Sequence, residues 1–256
     1  MSRYTRDNVR IAFGPNRVTP AVRAIIIANV AVFVLEWFAA RPLIDLFGLS
    51  PSGVLQHLRI WQLATYLFLH SPTQLTHILF NMLALWMFGV ELEERWGTRN
   101  FLKYYFITGI GAGVSMILVA MLPFAATRAT FDAVTIGASG AIYGILMAWA
   151  ILFPHRQILF MLIFPIPARM YVLIMGTIAF LAAVSATGSP VANVAHLGGL
   201  AVGFLYLKGP RNLRLKSPGD LRLELRYRLT KWRMERMRRK FNLHKGGKDD
   251  WDKWVH

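Results

Sequence analysis

Ile136-Gly137-Ala138-Ser139-Gly140-Ala141-Ile142-Tyr143-Gly144-Ile145-Leu146-Met147-Ala148-Trp149-Ala150-Ile151-Leu152-Phe153 is an uncharged apolar run with a serine set among small residues at its head. A second apolar run, from Val191 to Leu207, carries Ala195-His196-Leu197-Gly198-Gly199 near its own head. Polar and ionisable groups cost free energy inside a bilayer, so an intramembrane histidine is by default a functional site. A nucleophile and a base both lying where lipid should be point to hydrolysis within the membrane.

The composition agrees with a membrane location. Of 256 residues, 55% are hydrophobic and 16% charged, and the mean hydropathy is +0.42. A soluble domain of this size carries more charge and fewer continuous apolar runs. The chain has no cysteine, which excludes disulfides, a thiolate nucleophile and a cysteine metal site. The first twenty residues hold Arg3, Arg6, Arg10 and Arg17 but no apolar stretch ahead of a cleavage site, so no cleaved signal peptide is expected.

Six apolar segments are expected to cross the bilayer, at roughly 22–38, 75–90, 101–122, 136–153, 170–186 and 191–207. Each is close to the ~20 residues that a helix needs to span ~30 Å of hydrocarbon. Leu43 to Leu58 and Ile60 to Leu69 are too short, or too interrupted by Pro, Gly, Arg and His, and read as an interfacial loop. Basic residues gather at the N-terminus, at Arg95 and Arg99, at Arg156 and Arg169, and in the C-terminal tail, which places both termini in the cytoplasm.

This topology runs the second, fourth and sixth segments inward from the outer face. At 1.5 Å per residue, Ser139 then lies about 5 Å into its segment and His196 about 7 Å into its own. His77 and Asn81 stand near the start of the second segment, four residues apart and so on one helical face. Four polar groups are expected to converge on one shallow layer. A serine hydroxyl becomes a competent nucleophile when a neighbouring base takes its proton, and His196 is the base at hand. Attack on a carbonyl builds an oxyanion, for which His77, Asn81 and the Ser139 backbone N–H are the candidate donors. Asp132 is the only carboxylate between Phe101 and Leu207 and lies in an outer loop, so a Ser-His dyad is expected, with Tyr143 orienting the imidazole by packing. Glu36, beside Trp37 near the outer end of the first segment, reads as snorkelling at the interface.

Taken singly, each residue has a plainer explanation. Serine in a membrane helix commonly bonds its own backbone, His77 or Asn81 alone would be interhelical glue, and Gly199 with Gly203 indicates only close helix packing. The Gly-x-Ser-x-Gly elbow of soluble hydrolases is not matched, because Ala141 stands at its last position. Coincidence at one depth is what favours function. A transporter would instead place polar groups near the midplane, in matching halves.

The chain resembles the rhomboid intramembrane serine proteases over roughly residues 20–208. His77-Ile78-Leu79-Phe80-Asn81 resembles that family's His-x-x-x-Asn, Gly137-Ala138-Ser139-Gly140 with Tyr143 its nucleophile motif, and Ala195-His196 with Gly199 and Gly203 its histidine motif. Gly89, Glu93 and Gly97 resemble the positions where the second span meets the cytoplasm. The resemblance implies an all-α integral membrane protein, a bundle of six transmembrane helices with a membrane-embedded first loop from Ala40 to Thr76. It implies a serine endopeptidase of the cytoplasmic membrane that cleaves transmembrane segments of other membrane proteins. Ser139 would be the nucleophile, His196 the base, His77, Asn81 and the Ser139 amide the oxyanion donors, and Gly137, Gly140, Tyr143 and Gly199 supporting residues. The alternative is a catalytically silent relative that binds transmembrane segments. Many members carry Trp-Arg in the first loop where this chain has Trp61-Gln62, with Arg59 nearby. No cofactor and no metal is expected, because His77 and Asn81 lack further ligands at suitable spacing.

The expected organisation is a basic N-terminus (1–19), the six-span core (20–208) and a basic tail (209–256). From Lys208 onward there are 16 basic and 6 acidic residues, +10 of the chain's net +16. Ser217-Pro218-Gly219-Asp220 reads as a helix start, followed by an apolar stripe of Leu221, Leu225, Leu229 and Trp232, a pattern suited to anionic lipid. No nucleic-acid motif stands in it.

Overall fold

The computed structural model describes residues 15, 17–123, 130–160, 163–184, 190–209, 226 and 230–234. Contacts divide the chain into Met1–Gly209 and Pro210–His256. In the first unit the helices are α1 (Pro20–Phe47), two short turns α2 (Pro51–Leu55) and α3 (Gln62–Thr65), α4 (Leu75–Trp96), α5 (Thr98–Ala120), α6 (Ser139–Leu152), α7 (Ala168–Val184) and α8 (Pro190–Lys208). Three of them, α1, α4 and α5, are long and apolar enough to cross a membrane, and α6 and α7 are shorter apolar helices.

α1 runs nine residues beyond the expected end of the first segment. It does so through a break: Ala39 leaves helical geometry (φ −143°, ψ 42°) three residues before Pro42, which removes the hydrogen-bond and steric conflict that an interior proline creates. Its other end is capped from a distance. The Glu93 carboxylate of α4 accepts the N–H groups of Ala21 (2.9 Å) and Val22 (3.0 Å) and the Thr98 hydroxyl (2.7 Å). The two amides are first-turn donors with no partner inside α1, and a carboxylate also suits the positive end of the helix dipole.

Within α4, residues Leu85–Gly89 form a π-helical stretch. Such a bulge displaces a carbonyl from the regular ladder, and the Trp149 indole N–H of α6 donates to Phe88 O at 2.9 Å. The centre of the bundle is α5, α6 and α8, packed through small residues. A Cβ at Gly144 would meet the Thr108 Cβ and stand 2.6 Å from its Oγ1, one at Gly203 would meet Gly144 Cα at 3.2 Å, and Gly199 lies directly on the Gly140 carbonyl. Without water to drive apolar surfaces together, close backbone approach of this kind is how membrane helices gain contact energy.

One departure from the all-α expectation lies between α6 and α7. The connection between the fourth and fifth expected segments forms an antiparallel hairpin, β1 (Gln157–Phe160) with β2 (Phe164–Pro167), in which Ile158 pairs Ile166. Branched and aromatic residues favour the strand, and prolines are tolerated on an edge. The stretch 185–189, which holds the expected end of the fifth span and most of the link to the sixth, and the tail positions 217–220, Leu221, Leu225 and Leu229 lie outside the described residues. In the second unit Trp232 is exposed, within a helical stretch at 230–234.

Candidate active site

The segment 136–153 is expected to start its helix at Ile136, but α6 begins at Ser139. Gly137 has φ +119°, which an L side chain rarely adopts, and its N–H donates to Tyr66 O at 2.9 Å. A Cβ there would stand 2.7 Å from His77 Nε2, so glycine serves both the turn and the close approach of the histidine. The turn is held from the other side by an isolated bridge, with Thr135 N donating to Leu49 O (2.8 Å) and Leu49 N to Thr135 O (2.9 Å). Ser139 is therefore presented at a helix N-terminus, where backbone N–H groups have no intrahelical acceptor.

His196 projects from α8, roughly 9 Å along it from Pro190 at 1.5 Å per residue. Its Nε2 lies 2.8 Å from Ser139 Oγ. The Tyr143 ring, one turn below Ser139, stacks on the imidazole with centroids 4.3 Å apart and an interplanar angle of 6°. That stack fixes the ring plane in the role often taken by a carboxylate. Asp132, the one acid between Phe101 and Leu207, is exposed. Gly140 and Gly199 set the spacing of the two helices, since their backbones touch one residue after Ser139 and three after His196.

Ser139, His196, His77, Asn81 and Tyr143 line one cavity of about 750 Å³. Its lining also includes the polar residues Ser71, Gln74 and Thr76 and the apolar residues Phe80, Met87 and Met175. The sequence-expected residues thus come together around one space, large enough for several side chains of an extended segment.

One residue of this neighbourhood stands differently from expectation. Glu36 is not snorkelling: it is 1% exposed, and its carboxylate accepts the His70 backbone N–H. A free N–H at the loop break ahead of α4 needs an acceptor when buried, and Glu36 supplies it, while its neighbour Trp37 turns outward. Gln62 is likewise buried; its Oε1 accepts from Ser50 N at 3.3 Å and its Nε2 donates to Leu46 O at 3.4 Å. A neutral amide therefore ties the loop at this position. His70 was not singled out from the sequence. Its ring lies 4.9 Å from that of His77, and its Nε2 3.2 Å from Asn81 Nδ2. The available signal was a histidine closing the apolar run Tyr66-Leu67-Phe68-Leu69 just ahead of the His77 segment. Among the described residues no cluster of His, Asp and Glu could hold a metal ion.

Comparison with known proteins agrees with this architecture. The rhomboid domain pattern matches residues 57–209. Similar proteins include the mitochondrial rhomboid protein 1 of Saccharomyces cerevisiae, 36% identical over 58% of this chain and 44% of its own length. The rhomboid protease GluP of Bacillus subtilis is 31% identical over 62% of this chain and 27% of its own. The rhomboid protease AarA of Providencia stuartii is 29% identical over 75% of this chain and 74% of its own. The chain thus spans under half the length of the first two and about three quarters of the third. With its apolar helices and a domain match over more than half its residues, the chain belongs to the rhomboid family of multi-pass integral membrane proteins.

Proposed function

We propose that this protein is an intramembrane serine endopeptidase that cuts transmembrane segments of other membrane proteins with a Ser139–His196 dyad. The observation that carries the reading is the 2.8 Å approach of His196 Nε2 to Ser139 Oγ on the wall of a cavity shared with His77 and Asn81. His196 takes the hydroxyl proton as Oγ attacks the scissile carbonyl, then returns it to the departing amide nitrogen. Water entering the cavity, whose lining includes Ser71, Gln74 and Thr76, hydrolyses the acyl-enzyme by the same proton transfers. The developing oxyanion is met by the Ser139 N–H, Asn81 and His77; one such donor typically contributes about 10²- to 10³-fold in rate. The names of the similar bacterial proteins, two of them rhomboid proteases, support the same reaction class.

In this reading the core crosses the bilayer six times, with α1, α4, α5, α6, α7 and α8 as the spans. Both basic termini face the cytoplasm, and the basic tail rests on anionic lipid.

The test is cleavage of a fluorescent transmembrane substrate in proteoliposomes. The intact protein cleaves, and Ser139→Ala and His196→Ala each abolish cleavage while still binding the substrate. An intact protein that binds transmembrane segments without cutting them would replace this reading with that of a silent binding protein.

A further inference from the structure

The dyad mechanism leaves two buried polar residues unused, Glu36 of α1 and His70 of the connection before α4. Both are almost wholly shielded, at 1% and 0% exposed. The His70 backbone N–H lies 3.1 and 3.0 Å from the two carboxylate oxygens of Glu36. On its other side the imidazole Nε2 is 3.2 Å from Asn81 Nδ2, and Asn81 Nδ2 also donates to the His77 carbonyl at 2.9 Å. A chain of contacts therefore runs from the first helix to a side chain on the wall of the cavity.

The contacts also assign the protons. The Asn81 atom facing the His77 carbonyl has to be nitrogen, because an amide oxygen there would oppose another oxygen. The same nitrogen faces His70, so His70 Nε2 is the acceptor and its proton sits on Nδ1. Burial, with His77 nearby, pushes the His70 imidazole down to about 4, against a backbone contact at Phe68 that acts the other way, which leaves the ring neutral and able to accept. With both amide hydrogens engaged, the Asn81 side chain is held in one rotation, nitrogen toward its acceptors. An oxyanion is a stronger acceptor than a neutral imidazole, so one N–H can transfer to it without the side chain having to be reoriented.

We propose that His70 is a positioning residue that holds Asn81 as a preset oxyanion donor, and that Glu36 positions His70 by binding its backbone N–H. This rests on the reading that Asn81 donates to the oxyanion.

The experiment is a double-mutant cycle on proteoliposome cleavage, using wild type, His70→Ala, His70→Gln, Asn81→Ala and the His70→Ala/Asn81→Ala pair. Thermal midpoints and fluorophosphonate labelling of Ser139 are measured on each, so that rates refer to folded protein. Asn81→Ala is expected to lower kcat about 10²-fold, as for a lost oxyanion donor, and His70→Ala about 10-fold with KM unchanged. The pair is no slower than Asn81→Ala alone, and His70→Gln, whose Oε1 can accept, recovers most of the rate. Glu36→Leu behaves as His70→Ala and adds nothing to it. If the losses multiply, or if His70→Gln is as slow as His70→Ala at equal folded fraction, the inference falls while the proposed function stands. A wild type that neither cleaves nor labels overturns the proposed function and this inference with it.

Discussion

Gly199→Ala is the substitution that tests the site geometry most directly. An added Cβ would run into the Gly140 carbonyl, lying 3.0 Å from its carbon and 3.4 Å from its Cα. Carbon atoms settle at about 3.5–4.0 Å, so α8 and α6 need to part by roughly 0.5–1 Å. The backbone of both helices is what collides, so no side-chain rotation relieves it. His196 sits three residues before Gly199 on the same face of α8, and Ser139 directly precedes Gly140, so the displacement passes almost whole into the dyad. The 2.8 Å contact becomes about 3.5 Å, past the useful limit for a hydrogen bond. A misplacement of about that size costs on the order of 10²-fold in rate, and overpacking of this kind about 1–3 kcal/mol in stability. Gly176→Ala is the control, because its added Cβ meets only the end of the Leu200 side chain, at 3.2 Å, which can turn aside. Proteoliposome cleavage rates and thermal midpoints of the two variants decide the matter. Wild-type kcat in Gly199→Ala would refute the claim that this glycine contact sets the Ser139–His196 distance.

Two further outcomes follow from the same structure. Tyr143→Phe keeps the ring that stacks on His196 and is expected to retain kcat within about threefold, whereas Tyr143→Leu loses the planar support and about 2- to 10-fold in rate, the worth of an aromatic stack; equal rates for the two would remove the orienting role. Glu93→Gln weakens the charge-assisted cap on α1 and is expected to cost about 1.5–3 kcal/mol, read as a lower thermal midpoint, with kcat per folded molecule unchanged.

Much of this site can be read in the sequence because its parts obey two local rules. Apolar length marks the helices, and a polar residue inside such a length stands out at once; Ser139, His196, His77 and Asn81 were found that way. Tyr143 stands one turn from Ser139 in the sequence, and its ring stacks on the imidazole. What the same rules misplace are the ends. Hydropathy continues through Ile136 and Gly137, yet the helix cannot, because Gly137 is in a left-handed conformation with its N–H bound to Tyr66. The end of α1 was missed for the opposite reason: Pro42 reads as a stop, and a break at Ala39 removes the conflict that would make it one.

Glu36 is misread, His70 missed and the contacts of Gln62 left unread through a deeper cause. Each is polar, buried, and partnered with a group at least eleven residues away: Glu36 with the His70 backbone, Gln62 with Ser50 and Leu46, and His70 with Asn81. An irregular chain segment beside lipid has backbone groups that neither water nor a regular helix satisfies, so side chains from elsewhere have to meet them. A polar residue in an apolar stretch therefore has two origins that look alike in sequence, one acting on substrate and one serving the backbone. Depth along the helix does not separate them, since Glu36 would have passed the same test as His77. What separates them is the partner: Ser139 and His196 meet each other at the wall of the cavity, whereas Glu36 and Gln62 both accept a backbone N–H. His70 belongs to both sets, with its backbone served by Glu36 and its ring turned to Asn81, and on that double contact the proposed positioning of Asn81 rests.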